Sequence, residues 1–143
     1  MKPINTMHLT FPACPQNESF ARVVMSAFVV QLDPTLDVIA DIKTAVSEAV
    51  TNAIVHAYPQ GEGRVTLSAQ LFADGLMELD VIDEGCGIAD IAQAMRPFYT
   101  SQPDGERSGM GFAVMRTFMD EVEVLSAVDQ GTTVRMRKRV RSA

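Results

Sequence analysis

The sequence predicts an α/β two-layer sandwich: one mainly antiparallel mixed sheet with helices on one face. Three observations carry this expectation. Residues 17–32 and 36–57 place apolar side chains at helical spacing. Residues 64–83 and 121–140 alternate with the period of a strand, around the turns Asp74-Gly75 and Asp129-Gln130-Gly131. Helices and hairpins are grouped rather than strictly alternating, which favours helices layered on an antiparallel sheet over a parallel βαβ array.

Each element has its own signals. "INTMHLTF" (4–11) reads as a first strand, ended by Pro12 and Pro15. Asn17 is placed to cap a helix, and Phe20, Val23, Val24, Ala27 and Phe28 form its expected buried stripe. "DPT" (33–35) breaks that helix, and Thr35 can cap the next. The second helix should run over about 36–57, with Ile39, Ile42, Val46, Val50, Ala53 and Ile54 facing the core. "YPQGEG" (58–63) is a loop by composition. Val65, Leu67, Ala69 and Leu71 then alternate with Arg64, Thr66, Ser68 and Gln70. The return strand puts Met77, Leu79 and Val81 on one face, and by the same parity Asp83 falls on that apolar face.

Residues 95–108 show little regular pattern and contain Pro97, Pro103 and Gly105. A loop of that length in a compact domain is a functional lid or is disordered. "GMGF" (109–112) opens a short helix with Val114, Met115, Phe118 and Met119 as its apolar positions. Two strands, about 121–127 and 132–140, complete the chain. The tail "RMRKRVR" (135–141) reads as the outer face of an edge strand, with Val134, Met136 and Val140 turned inward.

The 143 residues fit a single domain, 1–143, with a lid at about 95–108. Hydrophobic content of 47% and charged content of 21% are those of a globular protein. A net charge of −6 argues against general affinity for nucleic acid or an anionic membrane. Cys14 and Cys86 match no metal or redox spacing and read as free thiols. No signal peptide and no apolar run of the roughly 18 residues that a span requires is visible, so a cytoplasmic location is expected.

Four features could carry chemistry. In "SEAVTNAIVHAY" (47–58), Glu48, Asn52 and His56 follow one another at four-residue spacing, which makes a slowly drifting polar stripe on a helix. Taken alone, such a stripe is a solvated helix face. His56, at the helix end, reads as packing or capping. In "DEGCG" (83–87), a carboxylate ends a buried strand face and is followed by glycines that allow close backbone approach. Asp83 there either caps its own turn or accepts a hydrogen bond from an exocyclic amine such as that of adenine. "SGMG" (108–111) follows the long loop and opens a helix, whose free N–H groups suit phosphate. "QGTTV" (130–134) is by itself a hairpin turn with two hydroxyls.

Taken in order, E-x-x-x-N on a helix, D-x-G-x-G, G-x-G after a lid and then G-T resemble the gyrase, heat-shock-protein-90, histidine-kinase and mismatch-repair ATPase superfamily, with its Bergerat nucleotide fold. Over nearly the whole chain, "NESFAR", "QLDPT", "DEGCGI", "ERSGMGF" and "FMDEVEV" are similar to the anti-sigma-F factors of endospore-forming bacteria, serine kinases of their own antagonists. The resemblance implies an anti-sigma factor that inhibits a sporulation sigma factor and uses ATP to phosphorylate a serine of an anti-anti-sigma protein. It implies Asn52 as the Mg²⁺ ligand and Glu48 as the residue that orients or deprotonates the attacking hydroxyl. It implies adenine recognition by Asp83, with Gly85 and Gly87, and with Thr132 or Thr133 completing the pocket. Ser108, Gly109, Met110 and Gly111 would cradle the phosphates of ATP or ADP, and Arg107, which by itself reads as a solvated arginine or a phosphate contact, would face protein partners. It also implies a homodimer, formed through the first strand and first helix. One departure is Gln102, where related sequences commonly carry a lysine whose loss could weaken nucleotide affinity or lid closure. An alternative is a sigma-binding module that uses nucleotide only structurally. A detached histidine-kinase domain or a gyrase-like ATPase would need further segments that these residues do not supply.

Overall fold

A computed structural model describes residues 1–59, 62–91 and 111–141. Five strands form one sheet: β1 (Asn5–Pro12), β2 (Arg64–Leu71), β3 (Leu76–Asp83), β4 (Glu121–Ser126) and β5 (Thr132–Arg139). Their order is β1-β2-β3-β5-β4, and all four pairings are antiparallel. Helices α1 (Gln16–Val29), α2 (Leu36–His56) and α3 (Gly111–Phe118) lie in contact as α1–α2–α3, with α2 in the middle. The two-layer expectation therefore stands.

Strand alternation sets the core. Val65, Leu67, Ala69 and Leu71 of β2 and Met77, Leu79 and Val81 of β3 are buried under the helices, joined by Val134 and Met136 of β5. From α2, Ile42, Ala45, Val46, Ala49, Val50 and Ala53 point down at them, and Ile39 and Ile54 flank that stripe. Thr35 caps α2 as expected, its hydroxyl accepting from the Val38 N–H at 3.3 Å. Asp33 takes a left-handed conformation, φ 53°, which ends the 3₁₀ turn Val30–Leu32 after α1.

Three expectations are corrected. First, the buried side of α1 is Ala21, Met25, Phe28 and Val29, whereas Phe20 and Val23 are 48% and 62% exposed. The helix is apolar on two sides, and spacing alone does not say which of them meets the sheet. Second, Asn17 is not the cap of α1. Pro15 occupies that position, and the Asn17 amide donates to the Pro12 carbonyl at 2.9 Å. Third, β5 is not an edge strand, because it lies between β3 and β4. Its arginines do face outward, but they pair with acids on neighbouring strands. Arg135 forks onto Asp80 at 2.9 and 3.0 Å, and Arg137 meets Glu78 at 2.8 Å and Glu121 at 2.9 Å.

Candidate functional site

The end of β3 meets the end of α2 through a stack of close contacts. The Cys86 N–H donates to the carbonyl of Ala57, just past α2, at 2.9 Å, and the Cys86 thiol reaches the His56 carbonyl at 3.3 Å. A Cβ at Gly85 would stand 2.2 Å from the Ala57 oxygen, so only glycine lets this loop seat there. On its other side the loop meets the β4–β5 turn. The Asp129 N–H donates to the Cys86 carbonyl at 2.8 Å, and a Cβ at Gly87 would stand 1.9 Å from the Ala127 oxygen. Helix end, glycine loop and hairpin turn are thus held face to face.

Asp83 lies at the centre of this stack and is 7% exposed, on the face that carries the core. Its carboxylate accepts from the Gly85 N–H at 3.0 Å, so it does close its own turn. The backbone amide of Thr132 also lies against it. Burial nevertheless outweighs these two amides and pushes the carboxyl above its ordinary value. No arginine or lysine is paired with it among the described residues. A buried acid without a cation favours any ligand group that can donate to it.

Thr132 pairs with Asp83 across the β3–β5 ladder and is 8% exposed on the same face. Thr133 pairs with Ile82 and points to the opposite face, so of the two threonines only Thr132 joins Asp83. A groove of about 610 Å³ runs along the ends of β3, β4 and β5. It is lined by Asp83, Ser126 and Thr132 from the core face, by Ile82, Leu125 and Thr133 from the opposite face, and by Glu84 of the glycine loop, but by no described residue of α2.

Glu48 and Asn52 are half-buried on one flank of α2. Asp41, seven residues before Glu48 and so two turns away on the same flank, pairs at 3.8 Å with Lys138. Lys138 in turn donates to the carbonyl of Phe118, the last residue of α3, at 2.7 Å. The opposite flank faces α1, where the Ser47 hydroxyl donates to Glu18. The Glu48–Asn52 flank therefore looks toward α3. Seven residues separate Asp41 from Glu48 and seven separate Phe118 from Gly111, about 10 Å along either helix. The packed helices have the length to bring Glu48 level with Gly111. Arg107, Ser108, Gly109 and Met110 lie outside the described residues, as do Gln102 and the rest of the lid at 95–108.

Sequence reasoning missed Tyr58. Its hydroxyl donates to the Arg64 carbonyl at 2.5 Å and accepts from the Glu84 N–H at 2.8 Å, bracing the turn that holds Asp83. Gly63 makes room for it, since a Cβ there would strike the Tyr58 ring. No group of three or more His, Cys, Asp or Glu that could hold a metal ion is present among the described residues. No described helix is long and apolar enough to cross a membrane.

The profile of the histidine kinase-like ATPase domain matches residues 11–138. An anti-sigma F factor of Caldanaerobacter subterraneus subsp. tengcongensis is 56% identical over 134 residues, covering 94% of this chain and 93% of its own. One from Thermoanaerobacter sp. (strain X514) is 54% identical over 142 residues, 99% of each chain. One from Geobacillus sp. (strain WCH70) is 54% identical over 134 residues, 94% of this chain and 92% of its own. Among solved structures, the RsbU and RsbW domains of a Mycobacterium tuberculosis protein superpose with a TM-score of 0.70 at 23% identity, covering 99% of this chain and 34% of that one. The mycobacterial sensor histidine kinase MprB gives 0.60 at 19% identity, covering 96% and 100%. These two structural likenesses speak for the fold.

Proposed function

Because the chain belongs to the histidine kinase-like ATPase family and, within it, to the anti-sigma F factors, we propose that it is an ATP-dependent protein serine kinase as well as an anti-sigma factor. In this reading it holds a sporulation sigma factor inactive and phosphorylates a serine of an anti-anti-sigma protein. The observation that carries the nucleotide part is Asp83: a buried carboxylate, paired with no cation among the described residues, in a loop that its glycines seat against Ala57 and Ala127.

The residues divide the work as follows. Asp83 accepts a hydrogen bond from the exocyclic amine of adenine, and Gly85, Gly87 and Thr132 shape the space around the base. The side-chain oxygen of Asn52 holds Mg²⁺. One amide oxygen suits that cation, which keeps several waters and otherwise takes phosphate oxygens. Bound Mg²⁺ supplies charge neutralisation on the phosphates. Glu48, one turn before Asn52, orients the incoming serine hydroxyl and accepts its proton. Ser108, Gly109, Met110 and Gly111 donate backbone N–H groups to phosphate, and Arg107 contacts the protein partners. The lid and the docked substrate exclude water, which keeps the γ-phosphoryl for the serine.

Incubation with labelled ATP and the cognate anti-anti-sigma protein tests this reading. Label should appear on a serine of the partner, and Glu48→Ala should lower transfer by about 100-fold or more at unchanged ATP affinity. Tight ATP binding with no transfer by the wild type would support the sigma-binding module that uses nucleotide only structurally.

The misplaced stripe of α1 supports the homodimer. Phe20, Val23 and Ala27 of α1, with Val30 in the 3₁₀ turn that follows, recur at helical spacing and are all exposed, beside the edge strand β1. A second copy covering them would bury that apolar surface. Sedimentation should give a dimer for the wild type and a monomer for Val23→Lys; a monomeric wild type would contradict it.

A further inference from the structure

We propose that Ser126 sets the base selectivity of the cleft by fixing the direction of the Thr132 hydroxyl. This rests on the nucleotide reading above and goes beyond the part played there by Asp83.

Ser126 ends β4, opposite Thr132 in the β4–β5 ladder. Its oxygen makes three contacts. It accepts from the Ile88 N–H of the glycine loop at 2.8 Å, donates to the Gly131 carbonyl at 2.9 Å, and lies 2.7 Å from the Thr132 oxygen. A serine hydroxyl carries one proton. With that proton on Gly131, the short contact to Thr132 must use the proton of Thr132 instead. Thr132 is then left with lone pairs only. Asp83, its neighbour across the ladder, is also acceptor-only when ionised.

Among the described residues the buried edge therefore presents acceptors and no hydroxyl donor. It matches a base with an exocyclic amine. It opposes a base with a carbonyl at the same place, which would find no hydroxyl partner there and would face like partial charge. Without the Ser126 hydroxyl, Thr132 could rotate and donate to such a carbonyl. Ser126 is thus a positioning residue that acts through Thr132.

Dissociation constants for ATP and inosine triphosphate, which carries a carbonyl in place of the amine, test this. The measurements use the full chain as wild type, Ser126→Ala and Ser126→Thr. In Ser126→Ala the ratio Kd(ITP)/Kd(ATP) should fall about tenfold, and Ser126→Thr, which keeps the hydroxyl, should hold the wild-type ratio. If Ser126→Ala weakens both nucleotides equally, Ser126 is only a structural tie and the proposal is overturned. Should that variant fail to fold, Ser126→Cys replaces it: a smaller fall in the ratio supports the proposal and an unchanged ratio overturns it. A wild type that binds both nucleotides equally overturns this inference alone. One that binds neither overturns the nucleotide reading as well.

Discussion

Asp80 and Asp83 stand three residues apart on β3 and meet opposite fates. Asp80 faces outward, where Arg135 takes it in a two-bonded fork at 2.9 and 3.0 Å. Asp83 faces inward, 7% exposed, with the amides of Gly85 and Thr132 against it and no cation among the described residues. The first carboxylate is complete within the fold. The second is held in a less favourable setting, and burial pushes its carboxyl above its ordinary value. A paired, part-exposed acid adds little to stability and needs no ligand, whereas a buried acid without a cation gains from a ligand that donates to it. The same residue type on the same strand is structural in one case and, in the proposed reading, a recognition group in the other.

The largest expected break in this contrast is Asp83→Asn. ATP affinity should fall by about 10- to 100-fold, the worth of a hydrogen bond to a charged group, as read by calorimetric titration. Undiminished affinity would remove Asp83 from recognition of the base. The same variant sharpens the contrast through pH. The folded-state value of Asp83 lies above its ordinary 3.8, so the fold favours the protonated acid. That contribution is full below 3.8 and is lost as pH rises through the higher folded value. Without nucleotide, Asp83→Asn should therefore melt above wild type at pH 8, and the gap should close as the pH falls toward 4. A gap that widened on acidification would contradict the burial argument. The smallest effect belongs to Asp80→Asn, at about 0.2–1 kcal/mol of stability with unchanged ATP affinity. Denaturant unfolding and the same titration check it, and a large loss in either would erase the distinction between the two acids.

Much of the candidate site could be read from the sequence because its signals are local. The Glu48–Asn52 spacing follows from the helix, the parity of Asp83 from the alternation of β3, and the glycines from the turn after it. Thr35 could be read as a cap for the same reason. Other features depend on neighbours distant in sequence. Thr132 and Thr133 are equivalent in the sequence, and only the pairing of β5 with β3 turns one toward Asp83 and the other away. The arginines of β5 looked like guards of an edge until the strand order placed β4 outside them. Ser126 and Tyr58 carry no motif at all; they matter through the amides of Ile88 and Glu84, 38 and 26 residues away.

The sequence by itself determined the elements and the inward side of β2, β3 and β5, because side-chain periods of 2 and 3.6 residues are written along the chain. Tertiary structure alone decided which of the two apolar sides of α1 faces the sheet, the order of the strands, and the buried hydroxyl network around Asp83. Those choices turn on which surfaces meet and which polar groups are left to satisfy one another, and no spacing within a single segment encodes them.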